Sequence, residues 1–364
     1  MPRGSEVGAI PTLSRNCNGA SGRRSQVAYR EEQLRQLSRY GAVARNGSVV
    51  LPLRRKEPDM MRFSRSLAAA LVLSVATPAL SMAGAQAASV AATGCIVSLS
   101  PTATATLFAI GAGAQVQAVD ESSTYPAAAA ALAKRHKING LEPSLEGLLG
   151  ICHSTVAHPS TKPDLVILSY NPNDLAQKLE AQGVHVVEQD AATSLAQVLT
   201  QIRQLGVASG HARAANAVAA AMNASIAASF ASVPKPATPI TVFYEISAAP
   251  YYSVTSSTFV GSIMKRLGLV NIADAQATSA DAGYPSLSAE YILSSKPSLI
   301  VTAGDATPAQ VAARTGFGSL PAVRHHDVLE LNADVASQWG TRVSALVRQL
   351  CDEVRHIESQ QAQG

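Results

Sequence analysis

The side chains in this sequence best suited to chemistry are aromatic, and they offer surfaces for stacking rather than a catalytic centre. Aromatics make up only 4% of the chain, with one tryptophan and nine tyrosines. Yet Tyr125, Tyr170, Tyr251, Tyr252, Tyr284 and Trp339 all fall in segments that read as loops, alongside Ser100–Thr102, Glu245 and Arg342. Flat faces of this kind suit a large, partly apolar macrocycle or chelate, although roughly half of them are expected to serve packing instead. The signatures of nucleophilic or metal catalysis are missing: there is no Gly-x-Ser-x-Gly elbow, no His-Glu-x-x-His and no Cys-x-x-Cys. His325-His326-Asp327 looks like a metal cluster, but neighbours on a strand point to opposite faces, so it reads as a turn before a strand. Cys152, His153 and His158 could ligate a metal from one loop, a sparse set. No catalytic residue and no metal ligand is assigned.

The elements that must hold these residues alternate. Short β-branched runs predict strands at Ile96–Leu99, Val116–Val119, Leu165–Leu168, Val184–Glu188, Ile240–Tyr244, Leu299–Thr302 and Val328–Leu331. Helical stretches lie between them, among them Thr102–Ile110, Leu175–Ala181, Ser194–Leu205, Phe259–Leu267 and Arg342–Ile357. Strands separated by helices imply an α/β protein with parallel, Rossmann-like sheets. A repeat divides it in two. Ser144-Leu-Glu146 leads to Lys162-Pro-Asp-Leu and a strand, and Ser288-Ala-Glu290 leads to Lys296-Pro-Ser-Leu and a strand. The Glu-to-Lys spacing is 16 in the first copy and 6 in the second, so the first carries about ten extra residues near Gly150–Pro159. Between the copies, Ser209–Val233 is alanine-rich and free of proline, which predicts one continuous, stiff helix joining two related lobes.

Charge excludes one class of partner. The formal net charge is +4, but residues 1–65 hold 13 Lys/Arg against 5 acids, which leaves 16 basic and 20 acidic residues for the body. A mildly acidic body without a basic cluster is no nucleic-acid binder. Met61-Arg-Phe-Ser-Arg65, an apolar run Leu67–Leu80 and Ala85-Gln-Ala87 read as a secretory signal peptide cut after Ala87. The expected organisation is therefore an extension over 1–60 that is disordered or a mis-assigned start, a signal peptide over 61–87, and a first lobe over 88–206. A connecting helix over 207–234 and a second lobe over 235–364 complete it. Export permits a Cys95–Cys152 disulfide, and Ala-Ala-Thr-Gly-Cys95 leaves lipid attachment at Cys95 open; Cys17 and Cys351 are the other cysteines.

Several motifs in order carry a family resemblance: Ile96-Val-Ser-Leu-Ser-Pro101 through Gly111-Ala-Gly113, Val119-Asp-Glu-Ser-Ser-Thr-Tyr125-Pro126, Leu141-Glu-Pro-Ser-Leu-Glu146, Lys162-Pro-Asp-Leu-Val166 and Tyr284-Pro-Ser-Leu-Ser-Ala-Glu290. Over residues 95–356 the chain resembles the extracytoplasmic solute-binding proteins of vitamin-B12 and iron-siderophore ABC importers. The insertion around Cys152, His153 and His158 departs from that pattern. The resemblance implies the class III periplasmic binding protein fold: two lobes, a rigid connecting helix and a ligand cleft between them. It also implies a monomer located in the periplasm or on the outer face of the cytoplasmic membrane, which delivers cargo to a permease dimer with its ATPase.

By the same resemblance Glu146 and Glu290 dock onto permease arginines, and Tyr125, Tyr284 and the Trp339–Arg342 segment match cleft positions. Each glutamate also follows a serine N-cap by two residues, so its carboxylate would favour its own helix dipole in any case. Arg342 is the one basic residue placed in the cleft, too few for a triply anionic ferric catecholate. A corrinoid ranks first as cargo, a near-neutral iron chelate second, and haem third with Tyr125 as axial ligand. No resident cofactor is expected. The rival readings are a noncatalytic surface module on the same fold and a metal-dependent enzyme.

Overall fold

The computed structural model describes residues 94–152, 160–234, 236 and 238–363. The extension over 1–60, the signal peptide over 61–87, Cys17, His153 and His158 lie outside the described residues.

The first lobe runs β1 Ile96–Leu99, α1 Pro101–Ala109, β2 Val116–Val119, α2 Ala127–His136, α3 Leu145–Leu149, β3 Leu165–Leu168, α4 Leu175–Ala181, β4 His185–Glu188 and α5 Leu195–Ala208. After α6 Ala212–Ala231 come β5 Thr241–Glu245, β6 Ser247–Ala248, β7 Tyr251–Tyr252, α7 Phe259–Arg266, β8 Val270–Asn271 and β9 Ser286–Leu287. The chain ends with α8 Ala289–Ser295, β10 Leu299–Thr302, α9 Pro308–Ala312, α10 Pro321–Arg324, β11 Val328–Glu330, α11 Ala333–Ser337 and α12 Val343–Gln361. One parallel sheet is ordered β2-β1-β3-β4 and the other β11-β10-β5-β8. Matching β5 with β1, β8 with β2, β10 with β3 and β11 with β4 superposes the two wirings, so the sequence repeat is a repeat of topology.

Both central pairs of strands are buried on two faces, which is why they read as nearly unbroken apolar runs. Alternate side chains serve different cores. Ile96, Leu165 and Ile167 face a core continuous with Ile202, Ala215 and Ala219 and, in the second lobe, with Val242, Leu299, Leu346 and Leu350. On the other faces, Val97, Leu99, Val166 and Leu168 pack with Leu148, Leu175 and Leu179, and Phe243 and Ile300 pack with Ile292, Val311 and Phe317. The inner core is shared across the lobes, and the two outer cores are private.

The helix expected over Ser209–Val233 starts three residues late, at Ala212. Gly210, at φ +77, allows a tight turn in which His211 N–H donates to Gly206 O at 2.7 Å, ending α5 and opening α6. Ala215, Ala219, Met222 and Ile226 form the buried stripe of α6. Gly206 is required where α5 meets it, since a Cβ there would lie 2.2 Å from the Ala215 Cβ. Cys95 and Cys152 form a disulfide with Cα atoms 6.2 Å apart, which occupies the sulfur considered above for lipid attachment; Cys351 is free and buried. Tyr251 and Tyr252, expected in a loop, form the middle strand of a small antiparallel ribbon β6-β7-β9.

Candidate ligand-binding cleft

The loops that leave the carboxyl ends of the strands carry most of the residues singled out above, as expected for the ligand side of α/β sheets. After β1, Ser100 caps α1, its Oγ accepting from Ala103 N–H at 3.2 Å. After β2, residues 120–126 form the loop that ends in Tyr125-Pro126. After β11, α11 and the segment up to Arg342 approach it from the second lobe.

Two contacts join these loops across the lobes. Thr124 Oγ1 donates to Asp334 Oδ1 at 2.9 Å, and the Arg342 guanidinium lies 3.9 Å from the centroid of the Tyr125 ring. Such a cation–ring contact is worth about 0.5–1 kcal/mol where exposed and more when dry. Tyr125 is 40% exposed, so part of the side chain is accessible to a ligand. Gln338 Nε2 also donates to Asp334 Oδ1, at 3.1 Å, leaving Gln338 Oε1 and Arg342 Nε buried without hydrogen-bond partners among the described residues. Gly340 sits against α1: a Cβ there would lie 2.8 Å from Thr106 Oγ1 and 2.9 Å from Thr102 Cγ2.

The remaining residues are placed differently. Trp339 packs on Phe259 with ring centroids 5.3 Å apart and donates from Nε1 to Ala336 O. Tyr284 joins the shared core, and burial together with the neighbouring Tyr244 pushes its phenol up to about 12. Tyr252 is exposed and Tyr170 is partly exposed.

Glu245 is corrected most sharply. It is fully buried and bound bidentately by Arg314, with N–O distances of 2.5 and 2.8 Å. Its carboxylate is therefore committed to an internal ion pair and is not a ligand group in this state. Tyr251 belongs to the same cluster: it stacks on Phe317 at 5.7 Å, and Arg314 lies 5.5 Å from both rings. Sequence reasoning missed Arg314, because its partner is 69 residues away and no spacing links them.

It also missed a buried polar chain behind the Tyr125 loop. Ser98 Oγ donates to Ser100 O at 3.3 Å, and Thr104 Oγ1 donates to Ser98 Oγ at 2.8 Å. Thr104 Oγ1 and Ser123 Oγ are 3.0 Å apart, and Ser123 Oγ makes a short hydrogen bond with Asp120 Oδ1. Asp120 is fully buried, and burial pushes its carboxyl up to about 7.

Away from the cleft, Glu146 and Glu290 are exposed in the first turns of α3 and α8, which Ser144 and Ser288 cap. Glu290's carboxyl is held below its usual range by hydrogen bonds from its own backbone N–H and from the Ser288 hydroxyl. His325 and His326 are exposed in the turn before β11, and Asp327 beside them is buried. Among the described residues no group of three or more His, Cys, Asp or Glu side chains is arranged to hold a metal.

Residues 96–335 match a family model described as periplasmic binding protein. The chain is 26% identical over 271 residues to an uncharacterized ABC transporter substrate-binding lipoprotein, YvrC, of Bacillus subtilis, covering 71% of this chain and 79% of that one. It is 26% identical over 266 residues to a vitamin B12-binding protein of Vibrio parahaemolyticus, covering 72% and 89%. Among solved structures, the vitamin B12 binding protein BtuF of Vibrio cholerae aligns with a TM-score of 0.58 at 24% identity, over 74% of this chain and 98% of that one. The heme-binding protein RhuT of Roseiflexus sp. aligns with a TM-score of 0.59 at 22% identity, over 73% and 99%. With two parallel-sheeted lobes, one linking helix and loops converging between them, the chain belongs to the periplasmic binding protein family, as an extracytoplasmic substrate-binding protein.

Proposed function

We propose that this protein captures a corrinoid between its lobes at Tyr125 and Arg342 and delivers it to an ABC permease, docking as a monomer through Glu146 and Glu290. The observation that carries the reading is the pair Tyr125–Arg342, which sets one aromatic face and one cation across the boundary between the lobes. Arg314 adds no further charge, because Glu245 neutralises it. Relatives named for vitamin B12 support the same ranking. Nothing in the arrangement calls for a catalytic step.

Haem is the second reading, favoured by the exposed Tyr125 phenol, since tyrosine can ligate ferric haem. Trp339 separates the cargoes. It is the single tryptophan and lies three residues from Arg342, so a coloured ligand in the cleft should quench its emission. Titration with cyanocobalamin, haemin and a ferric hydroxamate, corrected for inner-filter absorption, should give saturable quenching by cyanocobalamin at micromolar concentration or below. Saturation by haemin alone, with a tyrosinate-to-iron absorption band lost in Tyr125→Phe, would select haem instead. For docking, Glu146→Ala with Glu290→Ala should abolish uptake and leave ligand affinity unchanged; unchanged uptake would remove the docking role.

A further inference from the structure

The segments that follow the two exposed glutamates are written alike except for one insertion. Glu290-Tyr-Ile-Leu-Ser-Ser-Lys296-Pro in the second lobe matches Glu146-Gly-Leu-Leu149 in the first, resumed after residues 150–159 by Ser160-Thr-Lys162-Pro. In the second lobe α8 ends at Ser295 and β10 begins at Leu299, so 3 residues link the helix to its strand. In the first, α3 ends at Leu149 and β3 begins at Leu165, so the link has 15. By loop-closure entropy, that lengthening lowers the effective concentration of the two ends about tenfold.

The disulfide restores a short connection. Cys152 stands three residues past α3, and its partner Cys95 is fastened to the start of β3. Cys95 N–H donates to Asp164 Oδ2 at 2.9 Å, and Cys95 O accepts from Asp164 N–H at 3.0 Å and from Leu165 N–H at 3.3 Å. Cys152 N–H donates to Thr161 O at 3.1 Å, which closes the insertion at its base. We infer that the Cys95–Cys152 disulfide is the positioning tether of the first lobe's docking surface: it holds α3, and with it Glu146, to the start of β3 as the short link holds α8 and Glu290 to β10. The inference rests on the reading of Glu146 as a docking residue and adds what fixes it in place.

A helix of five residues is not stable on its own, so α3 depends on what anchors it. Ser144 caps its start, and Leu148 joins the outer core with Leu168 and Leu175. Leu145, Leu149 and Ile151 are only partly buried against that core. These contacts seat the helix on the face of the sheet, and the bridge fixes its carboxyl end to the strand. The two exposed anions are thus held by different means, Glu290 by continuous chain and Glu146 by sulfur. A bridge in this role suits an exported protein, whose compartment keeps it oxidised.

The test is amide hydrogen exchange by NMR, paired with uptake of cyanocobalamin by cells that depend on this protein. In Cys95→Ser with Cys152→Ser, the Leu148 amide, which donates to Ser144 O, should exchange about tenfold faster. Its counterpart, the Ile292 amide donating to Ser288 O, should not change. Uptake should fall as far as in Glu146→Ala, with affinity for cyanocobalamin unchanged. Deleting residues 150–159 together with Cys95→Ser gives the first lobe the short link of the second without any sulfur. That variant should restore both Leu148 protection and uptake, and it decides the matter if the double serine variant fails to fold. Unchanged exchange at Leu148, an equal acceleration at Ile292, or a short-link variant that folds with Leu148 unprotected overturns the proposal. So does full uptake by the double serine variant where Glu146→Ala lowers it. Full uptake by Glu146→Ala would instead remove the docking reading, and no uptake by the wild type would count against the cargo reading. In both cases the exchange at Leu148 still decides the tether.

Discussion

The two lobes share one wiring and finish the ligand ends of their sheets with opposite chemistry. In the second lobe, Glu245 at the end of β5 is locked to Arg314, and the guanidinium lies close to Tyr251 and Phe317. In the first, Ser98 in β1 and Ser100 just beyond it begin a chain of hydroxyls that leads to one carboxyl, Asp120. A buried ion pair is insensitive to pH near neutrality but costly to break. A chain of hydroxyls carries no such ion pair. The contrast places an ion pair at the ligand end of the second lobe, whereas in the first lobe the disulfide fixes the far end of the sheet.

The largest expected effect tests the ion pair. Arg314→Ala strands the fully buried Glu245 carboxylate, and denaturant unfolding should show a loss of about 3–5 kcal/mol. Replacing both partners, as Glu245→Leu with Arg314→Met, should recover most of that loss. A double variant no better than Arg314→Ala would mean that Arg314 matters for stacking rather than for charge.

In the first lobe, Cys95→Ser with Cys152→Ser opens a loop of 57 residues and should cost about 4 kcal/mol by chain entropy. The same unfolding curves would report it, and no change would place the constraint elsewhere.

Asp120 gives a smaller effect with a distinctive pH profile. Its carboxyl is raised from 3.8 to about 7 in the folded protein, so ionisation works against folding. The cost is absent below pH 4, grows between pH 4 and pH 7 as the unfolded chain ionises first, and is constant above pH 7. Relative to wild type, Asp120→Asn should gain stability over that window, by at most about 4 kcal/mol. A difference independent of pH would contradict the raised carboxyl.

The smallest effect concerns the contact between lobes. Thr124→Val removes one exposed hydrogen bond to Asp334 and should cost about 1 kcal/mol or less in thermal unfolding.

Much of this architecture was legible in the chain. The seven long strands announced themselves because the central ones are buried on both faces and read as β-branched runs, with boundaries within a residue of those expected. The repeat around Glu146 and Glu290 foretold the shared topology. The strands β6, β7, β8 and β9 were invisible, since two residues carry no periodicity. Glu245 was misread for a different reason: a carboxylate at a strand end looks the same whether it meets a ligand or a distant arginine. Asp120 stood in a recognised motif, yet the hydroxyls linked to it through Ser123 come from β1 and α1, which only folding brings near it.

The central claim is that Tyr125 and Arg342 hold the cargo together across the lobes. Its most direct test is a double-mutant cycle on ligand affinity, read by Trp339 quenching with the compound that saturates the wild type. Tyr125→Ala and Arg342→Ala should each weaken binding about tenfold or more, and the double variant should lose less than the sum of the two in free energy. Unchanged affinity in both single variants, or no binding of any tested chelate by the wild type, would contradict it.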